Sequence, residues 1–182
     1  DPLILSRISD TERKRQEAIF ELIMTESSYV HDLQMIIVEY VGPMSGLVTP
    51  KQLRQIFANI DHIYMMNSNL LQDLEKLQTE SDYMVNGVGE IFIKHVHIFK
   101  KAYGEYCNNF GKSDKKLQKL RKENKKLGIF LKEQMLNNPK SRHLDINAYL
   151  LLPMKRITSY GLMLKHILKY TLETHDDYLS IS

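Results

Sequence analysis

Glu26 is a charged residue within an otherwise apolar helical pattern, and its position suggests a functional role. Apolar residues recur at helical spacing on both sides of it, so position 26 falls on or beside a face that should be buried. An unpaired carboxylate in a buried face would cost several kcal/mol. Two interpretations stay open. Either Glu26 pairs with a neighbouring Lys or Arg or bends toward water, or this face binds another protein.

A second candidate surface lies near the C-terminus of the chain. Residues spaced four, four, three and four apart share one face of a predicted helix, and they are Leu151, Lys155, Ser159, Leu162 and His166. Another face of the same segment is apolar enough for the core, with Ile157, Tyr160, Leu164, Ile167 and Leu168. The mixed face is therefore either solvated surface or a site where a partner binds.

Other kinds of chemistry have less support in the sequence. His95 and His97 are two residues apart and point to opposite sides of a helix, so we expect no shared metal ion and a hydrogen-bonded core position for His95. The lysine-rich segment 112–126 keeps leucines at helical spacing, which favours a solvated helix face over nucleic-acid binding. No Gly-rich phosphate loop or nucleophile elbow occurs, so we expect no covalent chemistry, no cofactor and no metal.

The composition favours a single all-α domain. The 182 residues suffice for one hydrophobic core, and 43% hydrophobic with 26% charged residues is ordinary for a globular protein. Only 8 Gly and 5 Pro are available for the turns that an all-β fold needs. The net charge of +3 permits an acidic partner, and the single Cys107 fits a reducing, cytosolic compartment.

Helix signals divide the chain into five long helices. Ser9 and Glu12 predict the cap of the first helix, which runs to Tyr40 and stops at Gly42 and Pro43. The second begins at Thr49, Pro50 and Gln52 and carries apolar residues from 53 to 77. The third is expected at about 88–103 and ends at Asn108, Asn109 and Gly111. The fourth is expected at 117–135 and ends at 137–139. The fifth is expected at about 145–171, where Pro153 marks a late start or a kink. Because no segment alternates with period two, we expect an elongated helical bundle.

Three segments resemble the conserved regions of Dbl-homology domains, which act in exchange factors for Rho-family GTPases. ELIMTESSYVHDL, residues 21–33, resembles the first region, and VNGVGEIFIKHVHIFKKAYGEYCNN, residues 85–109, resembles the second. LLLPMKRITSYGLMLKHIL, residues 150–168, resembles the third. The segments follow the family order and spacing and cover nearly all of the chain, so the resemblance implies the Dbl-homology fold.

The resemblance also implies a function and its residues. It implies a guanine nucleotide exchange factor that binds a Rho-family small GTPase and promotes release of GDP and magnesium. Glu26 matches the family glutamate that engages switch I, and Lys155 and Ser159 occupy catalytic positions that face the GTPase. Leu151 matches a position associated with the choice of GTPase, and Leu162 shares this partner-binding face. With this role, Glu26→Ala is expected to lose exchange activity while keeping its helicity and melting temperature.

Four residues depart from the family pattern. Leu152 replaces a usual Lys, Lys155 a Gln, Ser159 a basic residue and Gly161 a Pro. These changes leave an alternative open, in which a domain of the same fold binds a GTPase or another partner as a scaffold without accelerating exchange.

The resemblance further implies how the domain is completed. The chain would stop near the start of the last helix of a Dbl-homology domain, and a pleckstrin-homology domain would follow in the parent protein. We expect a cytoplasmic monomer that reaches the membrane periphery only through flanking parts of the protein.

Overall fold

The computed structural model describes residues 8–182, which form helices joined by short loops and contain no strand. The all-α prediction is therefore confirmed for this range. The helices are α1 (Asp10–Ile36), a π-helical turn (Ile37–Val41), α2 (Gly42–Met44), α3 (Pro50–Phe57), α4 (Ile60–Glu80), α5 (Gly89–Glu123), α6 (Lys125–Asn137), a 3-10 turn (Pro139–Ser141), α7 (Ile146–Leu150), α8 (Leu152–Lys169) and α9 (Tyr178–Ile181). Within residues 8–182, none of these helices has the length and apolar character needed to span a bilayer.

The first two predicted helix starts are observed. The Ser9 hydroxyl accepts a hydrogen bond from the backbone N–H of Glu12 at 3.1 Å. The Glu12 carboxylate bonds to Arg15, so the reciprocal bond of a capping box is not formed. Thr49 and Gln52 form a complete capping box. The Gln52 N–H donates to the Thr49 hydroxyl at 3.3 Å, and the Thr49 N–H donates to the Gln52 side-chain oxygen at 2.9 Å. A cap of this kind contributes about 1 kcal/mol, enough to fix where a helix begins.

The first helix does not stop at Gly42 and Pro43 as predicted. Its backbone widens into the π-helical turn and then resumes as α2. Pro43 stands at the start of the resumed helix, directly after the π-helical turn. Tyr40 and Met44 are both buried, so packing continues through the predicted stop.

The second predicted helix is divided at Ala58. Ala58 has a positive φ of 49°, which ends α3, and α4 begins at Ile60. Between them the Asn59 amide donates to the Ala102 carbonyl of α5 at 3.0 Å. The bend keeps Phe57 and Ile60, on either side of it, buried.

The third predicted helix continues far beyond its expected end, because α5 runs through Asn108, Asn109 and Gly111 to Glu123. Asn109 donates to the Ser113 hydroxyl at 2.7 Å, so its side chain is satisfied without a break. The helix breaks instead at Asn124, whose side chain accepts from the Leu127 N–H at 3.1 Å and caps α6. The predicted fourth helix is thus shared between α5 and α6, and its predicted end near Asn137 is confirmed.

The fifth predicted helix consists of two pieces. Asp145 caps α7 by accepting from the Asn147 N–H at 3.0 Å, and the chain turns at Leu151 before α8 begins. Pro153 lies in the first turn of α8, so the late start, and not the kink, is observed. The helix ends at Lys169, shortly before the expected Thr171.

The core lies where α1, α4, α5 and α8 meet. α1 packs against α4 and α8, and α5 packs against α3, α4, α6, α8 and α9. Tyr160 and Ile167 of the predicted core face of α8 are buried, whereas Ile157 and Leu164 are half-buried. The turn after α8 is anchored by Asp177, whose carboxylate accepts from the N–H groups of Val88 and Gly89, each at 2.9 Å.

Gly89 is expected to be intolerant of even a methyl group. A Cβ at this position would lie 2.4 Å from the Ser180 Cβ and 2.8 Å from the Asp177 Oδ1, so Gly89→Ala should lower the free energy of unfolding. Overpacking of this kind costs about 1–3 kcal/mol. At Gly111 an added Cβ meets nothing within 4 Å, so Gly111→Ala should raise that free energy. The gain there should be about 0.5–1 kcal/mol.

Urea unfolding followed by circular dichroism measures both variants. An equal rise in the free energy of unfolding for the two variants would show that α9 does not pack closely against the start of α5.

Candidate functional site

Glu26 is fully buried in the middle of α1, with 0% exposure. Its Oε2 accepts hydrogen bonds from Arg156 Nε at 3.0 Å, from Arg156 Nη2 at 2.6 Å and from the Tyr160 hydroxyl at 2.7 Å. Arg156 and Tyr160 both belong to α8, so one carboxylate oxygen joins α1 to α8. Of the two open interpretations, pairing with an arginine is the one observed in the structure.

Burial and the neighbouring side chains act in opposite directions on the charges of this ion pair. Burial raises the pKa of Glu26, while Arg156 and Tyr160 counteract that rise. Burial works against the Arg156 charge as well, but Glu26 and Tyr160 raise the pKa of Arg156 overall. The guanidinium carbon lies 4.7 Å from the Tyr160 ring centroid and 5.7 Å from that of Tyr29, so aromatic faces add to its stabilisation.

The second carboxylate oxygen of Glu26 is different, because Oε1 is buried and has no hydrogen-bond partner within residues 8–182. A buried acceptor without a partner destabilises the fold by its desolvation. Glu26 therefore retains one buried acceptor without a partner.

Hydroxyl and amide groups extend the ion pair into the core. The Tyr160 hydroxyl lies 2.8 Å from the Asn67 Oδ1 of α4, and the Tyr103 hydroxyl of α5 donates to the same oxygen at 3.1 Å. The Tyr103 hydroxyl also lies 3.2 Å from the Tyr29 hydroxyl of α1. Burial raises the pKa of Tyr103 to about 12, so this phenol stays protonated and able to donate. The network joins four helices at one point.

Asn67 is a network residue missing from the predicted site, although the sequence carries a signal for it. It is a polar residue at helical spacing between Ile63 and Leu70, in the apolar stripe of the second predicted helix. Glu26 was selected on this same basis. Asn67 is 0% exposed and donates to the Ile63 carbonyl at 2.7 Å, so a polar group that interrupts a stripe marks the network in both helices.

A shallow depression of about 260 Å³ lies above the ion pair, between α1 and α8. Its lining residues are Thr25, Ser28, Tyr29 and Asp32 from α1 and Leu152, Lys155, Arg156 and Ser159 from α8. Lys155 is exposed, and Ser159 is half-buried with its hydroxyl donating to the Arg156 carbonyl at 2.8 Å. Glu26 does not line the depression and is fully buried, whereas its partner Arg156 is part of the lining.

The remaining residues of the predicted binding face are only partly brought to this depression. Leu151 is half-buried at the turn before α8 and lies outside the lining. Leu162 is 70% exposed, further along the outer face of α8. His166 is exposed, and its ring centroid lies 5.4 Å from that of Tyr170. Of the five residues of the predicted face, Lys155 and Ser159 line the depression and the other three do not.

His95 occupies the core position that was predicted for it. It is buried, and its Nε2 lies 2.8 Å from the Asp73 Oδ2. His97 is exposed on another side of α5. No group of three potential metal ligands occurs in the part of the chain that the structure describes.

Comparison with known proteins identifies the family. The RhoGEF domain model matches residues 18–182 of the chain. The chain belongs to the RhoGEF domain family. It is 32% identical over 177 residues to mouse Spermatogenesis-associated protein 13, covering 93% of the chain and 26% of that protein. It is also 32% identical over 186 residues to human Rho guanine nucleotide exchange factor 9, covering 98% of the chain and 35% of that protein. The RhoGEF domain therefore spans about a quarter to a third of these relatives.

Solved structures agree on the fold. The DH/PH domains of p115-RhoGEF superpose with a TM-score of 0.88 at 25% identity, over 100% of this chain and 51% of that one. The PDZ-RhoGEF DH/PH domains, crystallised with activated RhoA, give a TM-score of 0.91 at 18% identity, over 100% of this chain and 52% of that one. The RhoGEF domain has the Dbl-homology fold that its sequence predicted.

The buried pair changes the expected result for Glu26→Ala. Because this substitution leaves the Arg156 guanidinium buried without its carboxylate, we expect the free energy of unfolding to fall by about 3–5 kcal/mol. The sequence alone had suggested an unchanged melting temperature. Glu21→Ala, at an exposed position on the same helix, is the control and should change stability by less than about 0.5 kcal/mol.

Chemical denaturation of both variants and of a Glu26→Gln, Arg156→Met double variant measures the effect. The double variant should recover much of the loss, because neither charge then remains buried alone. Equal stability of the Glu26 and Glu21 alanine variants would contradict the pairing.

Proposed function

We propose that this RhoGEF domain accelerates the release of GDP and magnesium from a Rho-family GTPase. It would do so by binding the nucleotide-free GTPase more tightly than the GDP-bound form, without breaking a covalent bond. The observation that carries the proposal is the depression between α1 and α8, which is built from the two segments, 21–33 and 150–168, that match the family regions. The depression presents the exposed Lys155 above a rigid, hydrogen-bonded floor.

A rigid floor suits this mechanism. An exchange factor must hold the switch loops of its GTPase in a conformation that excludes the nucleotide, and a surface that yields would lose that binding energy. The ion pair between Glu26 and Arg156 and the hydroxyl network fix α1 and α8 relative to each other. Lys155 has no salt-bridge partner within residues 8–182, so its charge is available to an acidic group of the GTPase.

Glu26 would contribute to exchange in two stages. In the free domain it is a positioning residue, because it holds Arg156 in the floor of the depression. Direct contact with switch I, which the family resemblance implies, would use Oε1, because Oε2 is already bonded to Arg156 and Tyr160. The unpartnered Oε1 is then the acceptor that a donor on the GTPase would reach.

A second candidate function is a scaffold that binds a GTPase without accelerating exchange. Ser159 favours it, because this residue is uncharged and its hydroxyl is already bonded within its own helix. The depression therefore has less positive charge at this position than the family pattern would give. Equal affinity for the loaded and nucleotide-free GTPase, with flat exchange kinetics, would support the scaffold.

We also propose that the domain is completed by a helix after Ser182, with a pleckstrin-homology domain beyond it. An apolar groove of about 660 Å³ runs between α5 and α8, and Ser180 of α9 lines it beside Phe92, Ile93 and Leu164. Its position next to the last described helix suits a helix that continues from there. A chain extended past Ser182 should then bind less of a hydrophobic fluorescent dye than residues 1–182 do. Equal dye binding by the two chains would exclude this occupant.

We also propose a cytoplasmic location, on the basis of the single cysteine. Cys107 is free, and it lines the same groove, where burial raises the pKa of its thiol. A raised thiol pKa lowers reactivity, which suits a cysteine in a reducing compartment. Recruitment to the membrane periphery would use other parts of the protein.

Exchange measurements test the leading proposal. A panel of Rho, Rac and related GTPases loaded with fluorescent GDP should include at least one whose nucleotide release is accelerated by a chain extended past Ser182. Lys155→Glu should reduce that acceleration about 10-fold, which corresponds to about 1.4 kcal/mol of lost binding to the exchange intermediate. Its melting temperature should stay unchanged because Lys155 is exposed and unpaired.

Lys165→Glu is the matched control, since Lys165 is exposed on the same helix outside the depression. Both variants change the net charge equally. Equal losses of activity would place the GTPase elsewhere, and flat kinetics across the whole panel would overturn the exchange function.

A further inference from the structure

Positive charge is concentrated in one part of the chain. Residues 112–142 contain eleven Lys and Arg against three Asp and Glu, whereas the other 151 residues contain 14 basic and 19 acidic residues. The segment therefore has the opposite sign to the rest of the molecule. It comprises the last third of α5, α6 and the 3-10 turn.

A stripe of exposed lysines follows the outer face of α5. Lys112, Lys115, Lys119 and Lys122 are spaced three, four and three residues apart, so they share one side of the helix, and all four are exposed. Among these four, only Lys119 has a salt-bridge partner within residues 8–182, Glu123, at 3.7 Å. The stripe is thus a line of largely uncompensated charge, about 15 Å long at 1.5 Å per residue.

The next helix carries a second exposed stripe, in which large aliphatic side chains alternate with lysines. Lys125, Ile129, Lys132 and Leu136 are spaced four, three and four residues apart on one face of α6 and are exposed, although Leu127 and Leu131 bury the opposite face. Ile129 is 58% and Leu136 49% exposed. Large aliphatic side chains alternating with lysines on a solvent-facing stripe are typical of helices that lie in a membrane interface.

We infer that the outer faces of the α5 end and of α6 dock on an anionic phospholipid bilayer. The lysines would contact lipid phosphates and carboxylates, and Ile129 and Leu136 would enter the boundary of the acyl chains. A single-stranded nucleic acid would favour exposed aromatic rings for stacking, and residues 112–136 present none that is fully exposed. A bilayer uses both the charge and the aliphatic groups of this surface.

The location of the surface leaves the candidate exchange site open. Lys112 follows Tyr103 of the hydroxyl network by nine residues on the same uninterrupted helix, which is about 14 Å along the axis. The docking surface and the depression between α1 and α8 share no residue. The two surfaces are therefore distinct, and membrane binding does not depend on whether exchange occurs.

Vesicle sedimentation tests the inference. The protein should pellet with vesicles of phosphatidylcholine and phosphatidylserine, remain in solution with phosphatidylcholine alone, and dissociate as salt is raised. Lys115→Glu, Lys119→Glu, Lys122→Glu should weaken binding to the mixed vesicles by roughly 100-fold or more, since each lysine near the surface contributes about a factor of five. Ile129→Ser, Leu136→Ser should weaken binding by a smaller factor with its salt dependence unchanged.

The control is Lys51→Glu, Lys76→Glu, Lys101→Glu, which changes three exposed lysines outside the segment and alters the net charge equally. It should bind nearly as the unchanged protein does, and both triple variants should keep their helicity. Equal losses in the two triple variants would reduce the effect to net charge and overturn the docking surface. Absence of phosphatidylserine-dependent binding, or tighter binding of a single-stranded or duplex oligonucleotide than of the mixed vesicles at the same salt, would overturn it as well.

Discussion

The buried ion pair between Glu26 and Arg156 is the interaction on which the rest of the structure depends. A carboxylate on the dry face of α1 is tolerated only if a cation and further donors reach it, and α8 supplies both through Arg156 and Tyr160. This requirement fixes α8 against α1 in one register. Asn67 and Tyr103 then tie the same point to α4 and α5, so the position of four helices follows from satisfying one charge.

The same arrangement separates the buried residues of α8 from its outward-facing residues. Arg156 and Tyr160 turn inward to the charge, whereas Lys155 turns outward and Ser159 lies half-buried at the edge of the depression. A change on the outer side alters what a partner meets without disturbing the buried pair. The departures from the family pattern at Lys155 and Ser159 are therefore compatible with an intact Dbl-homology fold.

Three surfaces of different chemistry are arranged around this core. The depression between α1 and α8 is lined mainly by residues that carry polar or charged groups, the groove between α5 and α8 is apolar, and the outer side of the α5 end and α6 is basic. α5 takes part in two of them and in the buried network, because it continues unbroken from Gly89 to Glu123. The length of this one helix separates the basic surface from the depression.

The sequence by itself determined the helical class, the family and those helix starts that depend on residues close together in the chain. Thr49 and Gln52 are three residues apart, so their reciprocal bonds could be predicted from local spacing. The sequence shows the carboxylate of Glu26 on an apolar stripe, and therefore the need for a partner, but it does not identify that partner. Only the tertiary structure decided its partner, because Arg156 lies 130 residues away in the chain.

Tertiary packing also decided where helices bend or continue. Ala58 takes a positive φ that nothing in its residue type indicates, and α5 passes through Asn109 because Ser113 satisfies its side chain. Local propensities at such positions differ by less than about 1 kcal/mol, and burial of the flanking apolar residues outweighs them. Bonds between neighbouring residues could thus be foreseen from sequence, whereas the pairing of distant buried groups required the folded chain.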